Sequence, residues 1–119
     1  MNYDTAVHEA GHLLVARSLG HEATLLPGNE ELEAIVRVSG NIGFDDALVI
    51  RMSGAAAEYE YHNEWSTALI NSEFDYRIFD QIQATPEVMN IYEDRARIAV
   101  FDLWVPICEL AEQLVLAHE

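Results

Sequence analysis

With 119 residues, half of them apolar, the chain has the length of one domain spanning 1–119 and enough hydrophobic material to bury a core. Twenty-one acidic residues against six basic ones give a formal charge of -15, which repels phosphate backbones and argues against nucleic acid as a partner. All six basic residues are Arg; without lysine there is no Walker A site and no Schiff-base nucleophile, so any use of ATP needs another chain.

The first predicted element is a helix over Tyr3–Leu19, with Asn2 or Asp4 as N-cap, Val7, Leu14, Val15 and Leu19 as apolar positions, and Gly20 as the stop. It contains His8-Glu9-Ala10-Gly11-His12. A helix turns once in about 3.6 residues, so His8 and His12 lie one above the other and both imidazoles can reach one ion at roughly 2.0–2.1 Å. Glu9 sits about 100° around from His8, where a carboxylate reaches a water on that ion without ligating it, as a general base must. This is the spacing of zinc hydrolases. Gly11 costs a helix interior about 1 kcal/mol relative to Ala, so its presence predicts a neighbouring backbone or site wall too close for a Cβ. His21, just past the helix end, suits the helix dipole and reads as a cap rather than a ligand.

Glu22–Leu26 and Ala34–Ser39 carry strand-like residues on either side of Pro27-Gly28-Asn29-Glu30-Glu31 and predict a hairpin. After the Gly40-Asn41-Ile42-Gly43 turn, Asp45 or Asp46 is expected to cap a helix reaching about Tyr61, whose Ser53-Gly54-Ala55-Ala56-Ala57 run admits another helix closely. An irregular stretch, His62–Ser72 with Trp65 in its middle, precedes a helix over Glu73–Ala84. Thr85-Pro86 ends that helix and starts a last helical segment from Glu87 to about His118, with Ile91, Ala99, Leu103, Leu110 and Leu114 as core positions and a kink or split at Pro106. Cys108, the single cysteine, excludes intrachain disulfides and thiolate-rich zinc knuckles; its apolar surroundings read as those of a buried structural thiol in a reducing, cytoplasmic setting. No apolar run approaches ~18 residues and no basic and apolar leader opens the chain, so neither a membrane segment nor a signal peptide is expected.

Two histidines do not complete a catalytic zinc site, which takes three protein ligands and keeps a position for water. A third histidine six residues beyond His12 is excluded, because Ser18 stands there. The remaining candidates are Glu58, His62, Glu73, Asp75 and Asp80, and periodicity does not choose among them; on spacing, Glu58 and Asp75 rank together.

Val7-His8-Glu9-Ala10-Gly11-His12-Leu13-Leu14-Val15 resembles the active-site helix of the FtsH family of ATP-dependent zinc metalloproteases. Ser53-Gly54-Ala55-Ala56-Ala57-Glu58 is similar to that family's Gly-Gly-Arg-Ala-Ala-Glu helix, and Asp75 opens a helix where the family has its ligand Asp. Tyr92-Glu93-Asp94-Arg95-Ala96 through Glu109-Leu110-Ala111-Glu112-Gln113-Leu114 resembles its C-terminal helices. The resemblance implies a mainly α, zincin-like fold with a small β element. It further implies His8, His12 and Asp75 as ligands of Zn2+, Glu9 as the base, and Glu58 as a carboxylate that orients a ligand imidazole from behind. Ser53, Ala55 and Phe74 depart from the family's Gly, Arg and Asn at their positions. The family's transmembrane and ATPase parts have no counterpart here, so only its peptidase part is resembled.

The function expected on these grounds is a zinc metalloendopeptidase acting on unfolded or partner-presented polypeptides, with a separate ATPase as a candidate partner. The family's rings make oligomerisation a further expectation. Substrate is expected along the edge of the Ala34–Ser39 strand, and His62 is a candidate oxyanion donor. The competing expectation is a catalytically weak binding or regulatory module, or a subunit of a larger protease assembly.

Overall fold

The computed structural model describes residues 1–27, 34–63 and 73–117. The expectations for Trp65, for most of the 62–72 stretch, for the residues after Pro27 in the first turn, for the Glu73 side chain and for His118 lie outside the described residues. Among these, the chain is mainly helical with one small two-stranded sheet, as expected.

Helix α1 (Tyr3–Ser18) starts at Asn2, whose Oδ1 accepts the Thr5 N–H at 2.8 Å; Asn2, not Asp4, is the cap. It ends where Gly20 takes φ +88°, the Gly20 N–H donating to the Arg17 carbonyl and the His21 N–H to the Ala16 carbonyl. This pair of bonds is the Schellman closure, and the left-handed residue it needs is why a glycine stands there. Leu19, expected on the apolar face, is instead the C-cap and 40% exposed. Strands β1 (Glu22–Pro27) and β2 (Ala34–Ser39) pair antiparallel, with Glu22 opposite Ser39 and Pro27 opposite Ala34.

Helix α2 (Phe44–His62) begins slightly ahead of its expected start. Gly43 is its N-cap and makes no side-chain bond, while Asp45 and Asp46 lie in the first turn, where negative charge suits the positive end of the dipole. Helix α3 (Glu73–Gln81) is shorter than the expected Glu73–Ala84, because Gln83 turns to φ +53° and the Gln83 and Ala84 N–H groups close back on the Asp80 and Phe79 carbonyls. Helix α4 (Pro86–Asp102) is capped by Thr85, whose Oγ1 accepts the Val88 N–H, with Pro86 in the first turn where its missing N–H loses nothing. The long final segment splits, but at Leu103 and not at the expected Pro106: α5 (Trp104–Ala117) restarts there, which puts Pro106 in a first turn instead of an interior.

Helix α1 lies at the centre, packed against α2, α5 and both strands, while α2 packs on its other side against α4. Its Ala6, Val7, Ala10, Leu13, Val15 and Ala16 are buried, and so are its His8, Glu9 and His12. A helix enclosed on all sides carries whatever polar residues it holds into the interior. Phe79 anchors α3, and Tyr92, Ala96 and Val100 anchor α4. Ile91 is not a core residue: it is 49% exposed, because Tyr92 faces inward and its neighbour is rotated about 100° away. Ala99, Leu103, Leu110 and Leu114 pack partly buried against the core. Cys108 is partly buried, and burial pushes its thiol pKa up, which suits an unreactive structural role.

At the α1–α2 crossing, a Cβ on Gly11 would stand 2.5 Å from the Ser53 carbonyl oxygen and 2.8 Å from the Ala57 Cβ. The close backbone foreseen from Gly11 is therefore that of α2. Among the described residues, no helix is long and apolar enough to cross a membrane.

Candidate metal centre

His8 and His12, one turn apart on α1, bring their Nε2 atoms to 3.0 Å from each other. The first turn of α3 carries Asp75, whose Oδ2 lies 3.0 Å from both. The three donor atoms form a nearly equilateral triangle, the set among the described residues that could hold a metal ion.

The other ring nitrogens decide what this triangle is. His12 Nδ1 lies 2.7 Å from the Ile50 carbonyl oxygen, which only accepts, so Nδ1 carries the proton and a neutral His12 presents a lone pair at Nε2. His8 Nδ1 faces Oε2 of the fully buried Glu58 at 3.5 Å, which selects the same tautomer. Two imidazole lone pairs and a carboxylate oxygen thus point at one another in a buried place. Such groups repel unless positive charge sits among them, either protons or a metal cation. Tetrahedral zinc with bonds of roughly 2.0–2.1 Å separates its ligands by about 3.3 Å, within a few tenths of the spacing found. The donor set fits that ion.

Gly54 forms a wall of this centre. A Cβ there would lie 2.5 Å from Nε2 of both His8 and His12, so any side chain displaces the converging nitrogens themselves. Gly54→Ala is accordingly expected to weaken zinc binding by about 100-fold or more, comparable with loss of a strong orienting partner, even though Ala favours a helix by about 1 kcal/mol. Competition against a chromophoric chelator measures it; unchanged affinity would show that the rings have room to retreat.

The charges are strongly coupled. Burial disfavours a His8 cation, but the Asp75 and Glu58 carboxylates outweigh it and hold the His8 pKa up at about 10. Burial also pushes the Asp75 carboxyl up, yet the His12 and His8 imidazoles prevail and hold it well below the ordinary carboxylate range. Glu9, 8% exposed, is raised by burial against the opposing pull of His12 and His8.

A pH dependence follows for the metal-free chain. Because the His8 pKa rises from 6.5 to about 10 on folding, its contribution to stability is complete below pH 6.5 and disappears as pH climbs through about 10. Asp75, depressed from 3.8, contributes above that value and loses its contribution as pH falls below it. Urea midpoints in chelator are thus expected to decline from about pH 6.5 upward, while the extra stability conferred by added zinc grows over the same range as fewer protons compete. A zinc increment that shrinks with rising pH would contradict competition between protons and metal for these donors.

The other candidates lie elsewhere. Asp80 is exposed. His62, at the end of α2, pairs with Asp4 at 2.6 Å, and His21 pairs with Asp46 at 2.8 Å, a role close to the capping one expected. Two contributors were not anticipated from the sequence. The Ile50 carbonyl is main chain and has no residue-type signature, whereas Gly54, a glycine inside a helix, did carry a signal of close approach. No family model, curated protein or solved structure matches the chain.

Proposed function

We propose that this chain is a zinc metallopeptidase of zincin-like arrangement, resembling the peptidase part of the FtsH family, that hydrolyses peptide bonds in unfolded or partner-presented polypeptides. The observation that carries the reading is the 3.0 Å convergence of His8 Nε2, His12 Nε2 and Asp75 Oδ2 beside a buried Glu9. His8, His12 and Asp75 would hold the ion, which would supply Lewis acidity toward a peptide carbonyl and toward water near neutral pH. Glu9 takes the water proton on its carboxylate and passes it to the leaving amine nitrogen, so one group serves as base and then acid. Its raised pKa suits both halves of that task. The Ile50 carbonyl and Glu58 keep the two imidazoles aimed throughout.

An extended substrate gains main-chain hydrogen bonds by lying along β2, which pairs only with β1 among the described residues. Having no lysine, these residues include no Walker A site, and unfolding of a folded substrate is left to a partner. A His–His–carboxylate set also suits ferrous iron, but a base placed beside the ligands favours hydrolysis.

The test is metal content together with turnover. The purified chain is expected to hold about one zinc and to cleave unfolded casein, with cleavage lost in phenanthroline and restored by zinc. Zinc without cleavage would favour the regulatory-module reading; no metal of any kind would end the peptidase reading.

A further inference from the structure

Helix α4 turns large apolar side chains away from the core. Ile91, Ile98 and Phe101 are 49%, 65% and 70% exposed, and Val105 at the start of α5 is 66% exposed. Spacings of seven and three residues place Ile91, Ile98 and Phe101 along one stripe of α4, and Val105 follows across the break at Leu103. Beside it lies a groove of about 410 Å³ lined by Glu60 of α2 and by Asp94, Arg97, Ile98 and Phe101 of α4. Glu60 is two residues past the buried Glu58 and about 200° around the helix from it, so the groove opens away from the His8 seam. A contiguous exposed apolar patch with a charged rim marks a surface for association.

We propose that this groove docks an amphipathic helix of another protein, one that presents large apolar side chains flanked by Arg or Lys. Charge selects the occupant. Glu60 and Asp94 are exposed carboxylates lining the groove, and Asp102, one turn past Ile98 on α4, is another. The two nearby cations are folded onto the chain's own aromatics, Arg97 over the Tyr59 ring at 4.5 Å and Arg95 over the Tyr92 ring at 5.5 Å. A second copy would set these carboxylates against their own likeness, with -15 on each chain. A basic helix meets opposite charge instead. The floor is the furrow between the packed helices α2 and α4, and the stripe from Ile91 to Phe101 runs about 15 Å, a length that a helix of similar size can follow. This surface operates whether or not the metal centre is catalytic.

The probe is a fluorescent 18-residue amphipathic peptide of Leu and Lys, tested with the Glu9→Gln chain so that it is not cut, beside a Leu and Glu counterpart. The expected result is micromolar binding of the basic peptide and at least about 10-fold weaker binding of the acidic one. Ile98→Ser with Phe101→Ser is expected to cost about 10-fold or more, and Glu60→Gln with Asp94→Asn several-fold. Equal binding to the serine variant would reduce the effect to net charge and overturn the proposal. If that variant melts early by circular dichroism, the isosteric Glu60→Gln, Asp94→Asn chain decides, and unaltered binding there overturns it. Self-association lost on Phe101→Ser would make the occupant a second copy, and binding to neutral phosphatidylcholine vesicles would make it lipid; either result overturns the basic-helix assignment.

Discussion

Glu9→Gln is expected to lower kcat/KM for an unfolded polypeptide by about 10²–10⁴-fold, the usual contribution of a positioned general base. Zinc content should not change, because Glu9 is outside the triangle formed by His8, His12 and Asp75. Stability should hold or rise slightly near neutral pH, since the carboxylate is buried and burial disfavours its charged form. Gln keeps the shape and removes only the ability to accept and return a proton. The three readouts together matter: a rate loss with metal and fold intact isolates proton transfer. Activity within about threefold of the parent would mean that another group, or a contaminating protease, performs the step.

Asp75→Ala is expected to have the largest effect on the metal. It removes one of three donors and leaves two imidazoles, so zinc affinity should fall by well over 100-fold, more than the 10–100-fold typical of an orienting partner. It also cuts the tie between α3 and α1, because Asp75 Oδ2 is the atom within 3.0 Å of both histidines. What then remains of the anchorage includes Phe79 in the core, with Tyr76 packed partly buried against it. Hydrogen exchange in α3 should therefore accelerate in Asp75→Ala, and zinc should slow it in the parent chain but not in the variant. Glu58→Gln provides the contrast: it acts on the centre through the far side of His8, so affinity should drop by about 10–100-fold while α3 stays protected. Should the two variants exchange these phenotypes, with Glu58→Gln abolishing metal and Asp75→Ala merely weakening it, the roles of the two carboxylates would have to be reversed.

The contrast between these carboxylates shows where reading the chain stops. Helical geometry makes His8 and His12 neighbours whatever surrounds them, and it places Glu9 beside them. Asn2, Gly20, Thr85, Pro86 and Pro106 act through hydrogen bonds or ring closure within a few residues, so most of the punctuation they imply recurs in the structure. Where two local signals compete, as Asn2 with Asp4 or Gly43 with Asp45, the outcome depends on small differences in geometry that composition does not record. Ile91 illustrates a different shortfall. Its apolarity is real, but α4 buries the Tyr92, Ala96, Val100 stripe instead, and which stripe faces inward depends on what packs there.

The residue string by itself determined the ends of α1, the start of α4, the shared face of the two histidines, the absence of any lysine chemistry and the need for something close to Gly11. Only the tertiary structure decided that Asp75 joins the imidazoles while Glu58 lies behind one of them, that the Ile50 carbonyl sets a tautomer, and that Gly54 leaves space at the converging nitrogens. The division follows interaction range. Caps and turns are settled by neighbours within about four residues, whereas the centre joins positions 67 and 63 residues apart in the chain, and their meeting depends on how whole helices pack.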